Sequence, residues 1–275
     1  TKFNWKSRAF YPHKYSTPVV ASTFIGCAFL DAYDILGDEK LLKSARSVCD
    51  FILNDLNRTE DEEGNFMFSY SPIDNTEVLN ASLLGSKMLS RVYSYTKEEE
   101  LLVPAKKSIK RCCNLQAENG SWRYGMMDIQ IWVDSFHTGY NLECIYEYQK
   151  YSGDISFQEN LSKGLKFYLE NFFTDEGIPK YYDNKTYPID VHAPAQMLIT
   201  LYRMNEFNQN SDLIDRVLKW TINNFQDDDG YYYYQIKKGT SSKIPYIRWA
   251  QAWMMYSLSF YLLQKNEDSV KNNKR

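Results

Sequence analysis

Asn119-Gly120-Ser121-Trp122-Arg123-Tyr124, followed ten residues later by Asp134-Ser135-Phe136-His137-Thr138, decides how this chain reads. A glycine-centred turn leads into aromatic residues, and these lead to an acid that opens a long apolar run. The same order occurs at Glu63-Gly64 with Phe66, Phe68 and Tyr70, at Glu176-Gly177 with Tyr181 and Tyr182, and at Asp229-Gly230 with the four tyrosines 231–234. The four glycines lie 56, 57 and 53 residues apart, a period that marks a repeat protein with one supersecondary unit per repeat.

Each period holds two helices. Residues 40–56, 98–115, 156–172 and 213–225 alternate apolar and charged positions at helical spacing, with Leu41, Leu42, Ala45, Val48, Cys49, Phe51 and Ile52 on one face of the first. Residues 18–33, 76–93, 135–148, 191–204 and 247–263 are apolar nearly all round and must be buried on all faces. A ring of inner helices inside a ring of amphipathic outer ones follows: an all-α fold, an α/α toroid of helical hairpins. Ser16-Thr17-Pro18 offers a cap with proline behind it, and Asp74, Asp134 and Asp190 stand where N-caps belong. The inner helices therefore start on one rim. Residues 1–17, with Trp5, Phe10, Tyr11 and Tyr15, read as the aromatic half of a further repeat. The expectation is one toroid domain over residues 1–265, beginning inside a repeat, and a polar tail over 266–275.

Composition narrows the function. The 275 residues are 44% hydrophobic, and no run approaches the roughly 18 apolar residues of a membrane span. The net charge of −3 is interspersed, with no basic face for nucleic acid before the tail. Five cysteines without a Cys-x-x-Cys pair read as reduced thiols of a cytoplasmic protein. The 23 Tyr, 15 Phe and 6 Trp serve packing and sugar contacts equally well. Phosphate-binding glycine motifs are absent, and no cofactor is expected.

The chemistry gathers at the inner-helix starts. His13, His137 and His192 are the only histidines, and all three fall at or just before one. Asp134 and His137 lie one helical turn apart, the arrangement of a general base and its orienting partner, and Asp190 with His192 offers a second pair. Arg248 can hold an anionic group such as a uronate carboxylate. Trp122, Trp249 and Tyr182 are candidate platforms for sugar rings, with Tyr140 and His13 as further ligand contacts. No cysteine lies near this rim to make a soft zinc site, and no metal is expected.

Several strings carry a resemblance: Phe29-Leu-Asp-Ala-Tyr33, Gly37-Asp-Glu-Lys-Leu41, Phe68-Ser-Tyr-Ser-Pro-Ile-Asp-Asn75, Asp134-Ser-Phe-His-Thr-Gly-Tyr140, Tyr187-Pro-Ile-Asp-Val-His192 and Ile244-Pro-Tyr-Ile-Arg-Trp249. By these the chain resembles an uncharacterised family of prokaryotic α/α-toroid proteins found among surface-polysaccharide genes. Members of that family are often labelled delta-aminolevulinate dehydratase. That enzyme is a β/α barrel with paired catalytic lysines, and no alternating strand–helix pattern occurs here. More distantly, the Asp134 to Tyr140 string resembles the Asp-x-Tyr-His-Thr stretch of protein prenyltransferase β-subunits, whose histidine binds zinc. There the zinc-binding Asp-x-Cys would fall on Asp74-Asn-Thr76, with Thr76 in place of the cysteine. The same string is similar to Asp-Tyr-His-Thr-Thr-His of glucuronyl C5-epimerases, which act on uronate polymers.

The expected function is acid–base chemistry on a sugar or uronate-containing oligosaccharide, of hydrolase, lyase or epimerase type. The alternatives are a prenyl-handling toroid and a non-catalytic scaffold of a glycan-assembly complex.

Overall fold

A computed structural model describes residues 16–272. They form two compact units: one holds the residues up to Trp132 with Cys144–Gly164, the other Val133–Glu143 with the residues from Leu165 onward. The first unit contains α1 (Val19–Leu36), α2 (Glu39–Asn54), the hairpin β1 (Arg58–Glu60) and β2 (Phe66–Phe68), α3 (Leu79–Thr96) and α4 (Glu99–Asn114). Two helices, α5 (Ser135–Ser152) and α6 (Gln158–Asn171), contribute residues to both units. The second unit adds β3 (Ile189–Asp190), α7 (His192–Arg203), α8 (Ser211–Phe225), β4 (Gln235–Lys237), β5 (Thr240–Ser242) and α9 (Ala252–Asn272). A π-helical turn, Ile247–Gln251, precedes α9. The three short strands pair antiparallel in the order β3-β4-β5.

The repeat is written in the hydrogen bonds of its turns. The N–H groups of Gly64, Gly120, Gly177 and Gly230 donate to the carbonyls of Asp61, Ala117, Thr174 and Asp227, at 2.9–3.0 Å. The N–H groups of those same four residues donate to the carbonyls four residues on: Asn65, Ser121, Ile178 and Tyr231. All four glycines have positive φ. Two of them also lie against backbone: a Cβ on Gly120 would strike the Lys163 carbonyl, and one on Gly177 would meet the carbonyl carbon and oxygen of Arg216 at 2.8 Å.

A second recurring bond ties consecutive repeats. The Val19 N–H donates to the Tyr70 carbonyl, Leu79 to Tyr124, Ser135 to Tyr181 and Val191 to Tyr234, at 2.9–3.2 Å. Each donor is the first or cap residue of an inner helix, whose N–H has no partner within the helix. Each acceptor is a tyrosine of the following aromatic cluster.

Burial follows the expected division, with one exception. Every residue of α3 from Leu79 to Val92 is buried, as is α7 from His192 to Leu201. The amphipathic α8 buries Ile214, Val217, Leu218, Thr221 and Phe225, one helical stripe. The exception is the pair α1 and α9, which are not buried on all faces: α1 buries only Val19, Thr23, Gly26 and Leu30, and Met255 of α9 is 79% exposed. α1 is also long and apolar enough to cross a membrane, contrary to the expectation that no such run exists. In the protein it is the inner helix of the first repeat, and its Asp31 and Asp34 pair with Arg91 of α3 at 2.7 and 3.3 Å.

Other details differ from the sequence reading. The cap position of α1 is Pro18, one residue later than expected, and its side chain makes no cap hydrogen bond. The last helix runs on to Asn272, through most of the polar tail expected over residues 266–275. All five cysteines are free, four of them buried. Burial pushes the Cys49 and Cys112 thiols up to about 12. Trp5, Phe10, Tyr11, His13 and Tyr15 lie outside the described residues.

The turn geometry gives a matched test. Gly177→Ala adds a backbone clash to the strain of φ +84°, whereas Gly64→Ala at φ +74° meets nothing within 4 Å. Urea denaturation should show about 1 kcal/mol lost for Gly64→Ala and at least ~2 kcal/mol for Gly177→Ala. Equal losses would mean that the turn does not bear on α8.

Candidate active site

The inter-repeat bonds define which residues are equivalent. The residue before each donor is Pro18, Val78, Asp134 or Asp190. Backbone pairing agrees: Val78 bridges Gly125, Asp134 bridges Tyr182, and Asp190 pairs with Gln235. This corrects the sequence register at one repeat. Asp74 is not a cap, and Val78 caps α3 instead. The Asp74 carboxylate closes a local turn, accepting from the Tyr70 and Thr76 N–H groups and from the Ser71 and Thr76 hydroxyls.

Two of the four equivalent positions therefore carry an acid, and two do the same backbone work with proline or valine. Asp134 uses its side chain twice. One carboxylate oxygen accepts the His137 backbone N–H at 3.0 Å, which caps α5, and the other lies 2.7 Å from His137 Nδ1. Donation from Nδ1 to the carboxylate fixes the neutral ring as the tautomer with Nε2 as its basic nitrogen. The Asp134 side chain is wholly buried, while that of His137 is 19% exposed. The residues corresponding to His137 in the other repeats are Ala21, Ala81 and Ala193. A histidine at this position is peculiar to one repeat.

Asp190 and His192 do not form the expected second pair. The Asp190 carboxylate takes the backbone N–H of His192, not its ring, together with Trp249 Nε1 at 2.9 Å and Gln235 Nε2 at 3.2 Å. The ring of His192 turns to Tyr140 instead, with 2.6 Å between Nε2 and the hydroxyl. The reason is position. At two residues past the acid the backbone N–H is within reach but the side chain points elsewhere, whereas three residues give His137 a full turn. Burial sets the charges of both groups. It pushes the Asp190 carboxyl up to about 6, partly offset by its three donors, and it holds the His192 imidazolium well below the usual range, helped by nearby His137. His192 is thus a neutral, fully buried group and not a solvent-facing base.

Rings enclose these groups. Phe136 packs on His137 at 4.4 Å between centroids and stacks on His192 at 4.7 Å. Trp249 and Trp253 contact the other sides of His192 at 4.4 and 4.3 Å. Tyr181 meets Phe136 edge-on. Trp249 also lines an open depression of about 600 Å³, with Ile244, Pro245, Tyr246, Ile247 and the exposed Arg248. It therefore joins the depression to the buried His192. Phe136, Tyr181 and Gln235 escaped the sequence reading. Phe136 sits inside the string Asp134 to Tyr140, and its place between Asp134 and His137 was the available signal.

Trp122 is not a sugar platform: it is buried in the first unit, and its indole N–H donates to the Cys112 carbonyl at 3.1 Å. Tyr182 packs against Tyr181, with the Lys185 ammonium 4.4 Å from its ring centre. His13 lies outside the described residues. Among the described residues no group of three His, Cys, Asp or Glu converges as a metal site. The zinc that the prenyltransferase resemblance implies does not fit, since Asp74 spends its carboxylate on its own turn.

No protein-family model and no characterised sequence matches the chain. Solved structures do. A cellobiose 2-epimerase from Bacillus thermoamylovorans superposes with a TM-score of 0.75 at 14% identity, over 98% of this chain and 77% of that one. A GH76 α-mannanase from Bacteroides thetaiotaomicron gives 0.71 at 13%, over 93% and 74%. An unsaturated glucuronyl hydrolase from a Bacillus species gives 0.65 at 12%, over 88% and 73%. The likeness gives the fold, the α/α toroid expected from the repeat.

The Asp190 shift has a direction that can be measured. Its folded pKa, about 6, lies above the ordinary 3.8, so the native state binds the extra proton between these values. Stability from this group is therefore lost as pH rises through that window, by roughly 2–3 kcal/mol. Asp190→Asn does not titrate. Its destabilisation relative to wild type, read by urea denaturation, should be larger at pH 4 than at pH 7.5, and a constant gap would contradict the buried-carboxyl assignment.

Proposed function

We propose that this protein is a sugar-modifying enzyme in which Asp134 and His137 act together as an acid–base catalyst on a sugar or uronate-containing oligosaccharide. One observation carries the reading. Four equivalent helix starts need no acid, since Pro18 and Val78 serve two of them, and three of four need no histidine, since alanine stands there. Only at Asp134 do both appear, in hydrogen-bond contact. The fold does not require that pair.

The geometry favours proton transfer at carbon, of the epimerase or isomerase type, over glycoside hydrolysis. Hydrolysis by two carboxyl groups needs one as acid and another as base or nucleophile, each presented to substrate. Here the oxygens of Asp134 accept from His137, and those of Asp190 accept from Trp249, Gln235 and the His192 N–H. An imidazole oriented by a buried carboxylate remains as the base. Trp249 would face the sugar ring, and Arg248 a carboxylate on it. Fold neighbours named as a cellobiose 2-epimerase, an α-mannanase and an unsaturated glucuronyl hydrolase support a sugar as ligand. The resemblance to the family of surface-polysaccharide genes supports a role in surface-glycan metabolism. Five free cysteines support a reducing compartment, and we place the protein in the cytoplasm.

His137→Ala restores the residue that the other repeats use, so stability should change by less than about 1 kcal/mol. Turnover on a panel of reducing mono- and disaccharides, uronates included, should fall roughly 100-fold or more in His137→Ala and in Asp134→Asn. Retained turnover in both variants would remove the pair from the mechanism.

A further inference from the structure

In a chain of net charge −3, residues 230–266 contain no Asp or Glu but hold Lys237, Lys238, Lys243, Arg248 and Lys265. All but Lys265 lie on the β4–β5 hairpin or on the segment after it, which lines the depression beside Trp249. Lys243 is engaged, its ammonium 4.7 Å from the centre of the Tyr233 ring. Among the described residues Lys237, Lys238 and Arg248 have no ion-pair partner, and all three are exposed. Cations gathered without an acid repel one another and contribute nothing to the fold, whereas an anionic ligand relieves the repulsion.

The sheet fixes which way Lys237 stands. Asp190 of β3 pairs with Gln235 of β4, and Gln235 and Lys237 pair with Ser242 and Thr240 of β5. Side chains alternate along a strand, so Gln235, Lys237, Thr240 and Ser242 share one face. Gln235 shows where that face looks. Its side chain reaches the Asp190 carboxylate, which also accepts from Trp249, a wall of the depression. Lys237 and Thr240 stand on the same face about 7 Å further out, two residues along the strand. Burial falls in the same sense: Gln235 is buried, Ser242 half-buried, and Lys237 and Thr240 exposed.

We propose that the β4–β5 hairpin is a second anion subsite, so that the ligand of the depression is an acidic oligosaccharide of several residues and not a single sugar. One anionic sugar residue meets Arg248 in the depression. Another lies over the Lys237 and Thr240 face, its carboxylate on Lys237 and Lys238 and a hydroxyl on Thr240. The inference rests on the reading of the depression as a sugar site, and it adds the length and charge of what enters.

The probes are di- and tetrasaccharides of glucuronate, galacturonate and mannuronate, titrated calorimetrically into the intact chain carrying His137→Ala. At least one tetrasaccharide should bind at least ~5-fold more tightly than its disaccharide at low salt, since an exposed ion pair supplies roughly 2- to 5-fold. The gain should shrink as salt is raised and vanish when the carboxylates are methyl-esterified. It should also vanish in Lys237→Ser with Lys238→Ser and persist in Lys237→Arg with Lys238→Arg. No binding by any tetrasaccharide, equal affinity for both lengths, a gain that survives esterification or the serine changes, or one lost equally in the arginine variant would each overturn the proposal. The length-dependent gain needs no turnover, so turnover retained in His137→Ala and Asp134→Asn would remove the catalytic pair and leave this result standing.

Discussion

The first four inner helices begin by giving an N–H to a tyrosine carbonyl of the next repeat, and the rest of the structure depends on that bond. A buried N–H left without a partner costs on the order of 1–3 kcal/mol, so the register between repeats is set wherever the bond forms. Val19 to Tyr70, Leu79 to Tyr124, Ser135 to Tyr181 and Val191 to Tyr234 are four instances of it. The aromatic cluster is thereby held over the helix start, and rings such as Phe136 and Tyr181 come to surround whatever the first turn presents. The site is a consequence of the stitching.

Because the backbone meets the architectural need, the side chain before the donor is free to vary. Pro18 and Val78 add nothing polar, while Asp134 adds a cap and a hydrogen-bond partner for the His137 ring. Asp190 accepts from Trp249 and so holds that ring against His192. Burial then separates the two acids and two histidines by role: His192 is kept neutral, the Asp190 carboxyl is raised to about 6, and His137 keeps contact with solvent.

Much of this was legible in the sequence, for definable reasons. Gly64, Gly120, Gly177 and Gly230 announce their turns because a positive φ selects glycine. The helices announce themselves by period, and among the described residues eight of the nine α-helices begin within three residues of expectation. Asp74 misled because an acid before an apolar run has the signature of a cap, and the same carboxylate can close a turn four residues early. Trp122 misled because an aromatic beside a turn reads alike whether it faces a ligand or the Cys112 carbonyl. The direction of His192 was hidden too, since spacing shows which residues share a turn but not which ring nitrogen meets which partner. The one-sided burial of α1 and α9 lies beyond composition, because an apolar helix reads the same with or without a neighbour.

The claim that Asp134 and His137 move a proton at a sugar carbon is tested most directly by solvent exchange. Wild-type protein is incubated with reducing sugars in deuterium oxide, and the carbon-bound proton signals are followed by NMR. Deuterium is expected to enter at one carbon beside the reducing centre in the wild type and not in His137→Ala. Cleavage of a glycosidic bond without any exchange, or exchange at the same rate in His137→Ala, would contradict it.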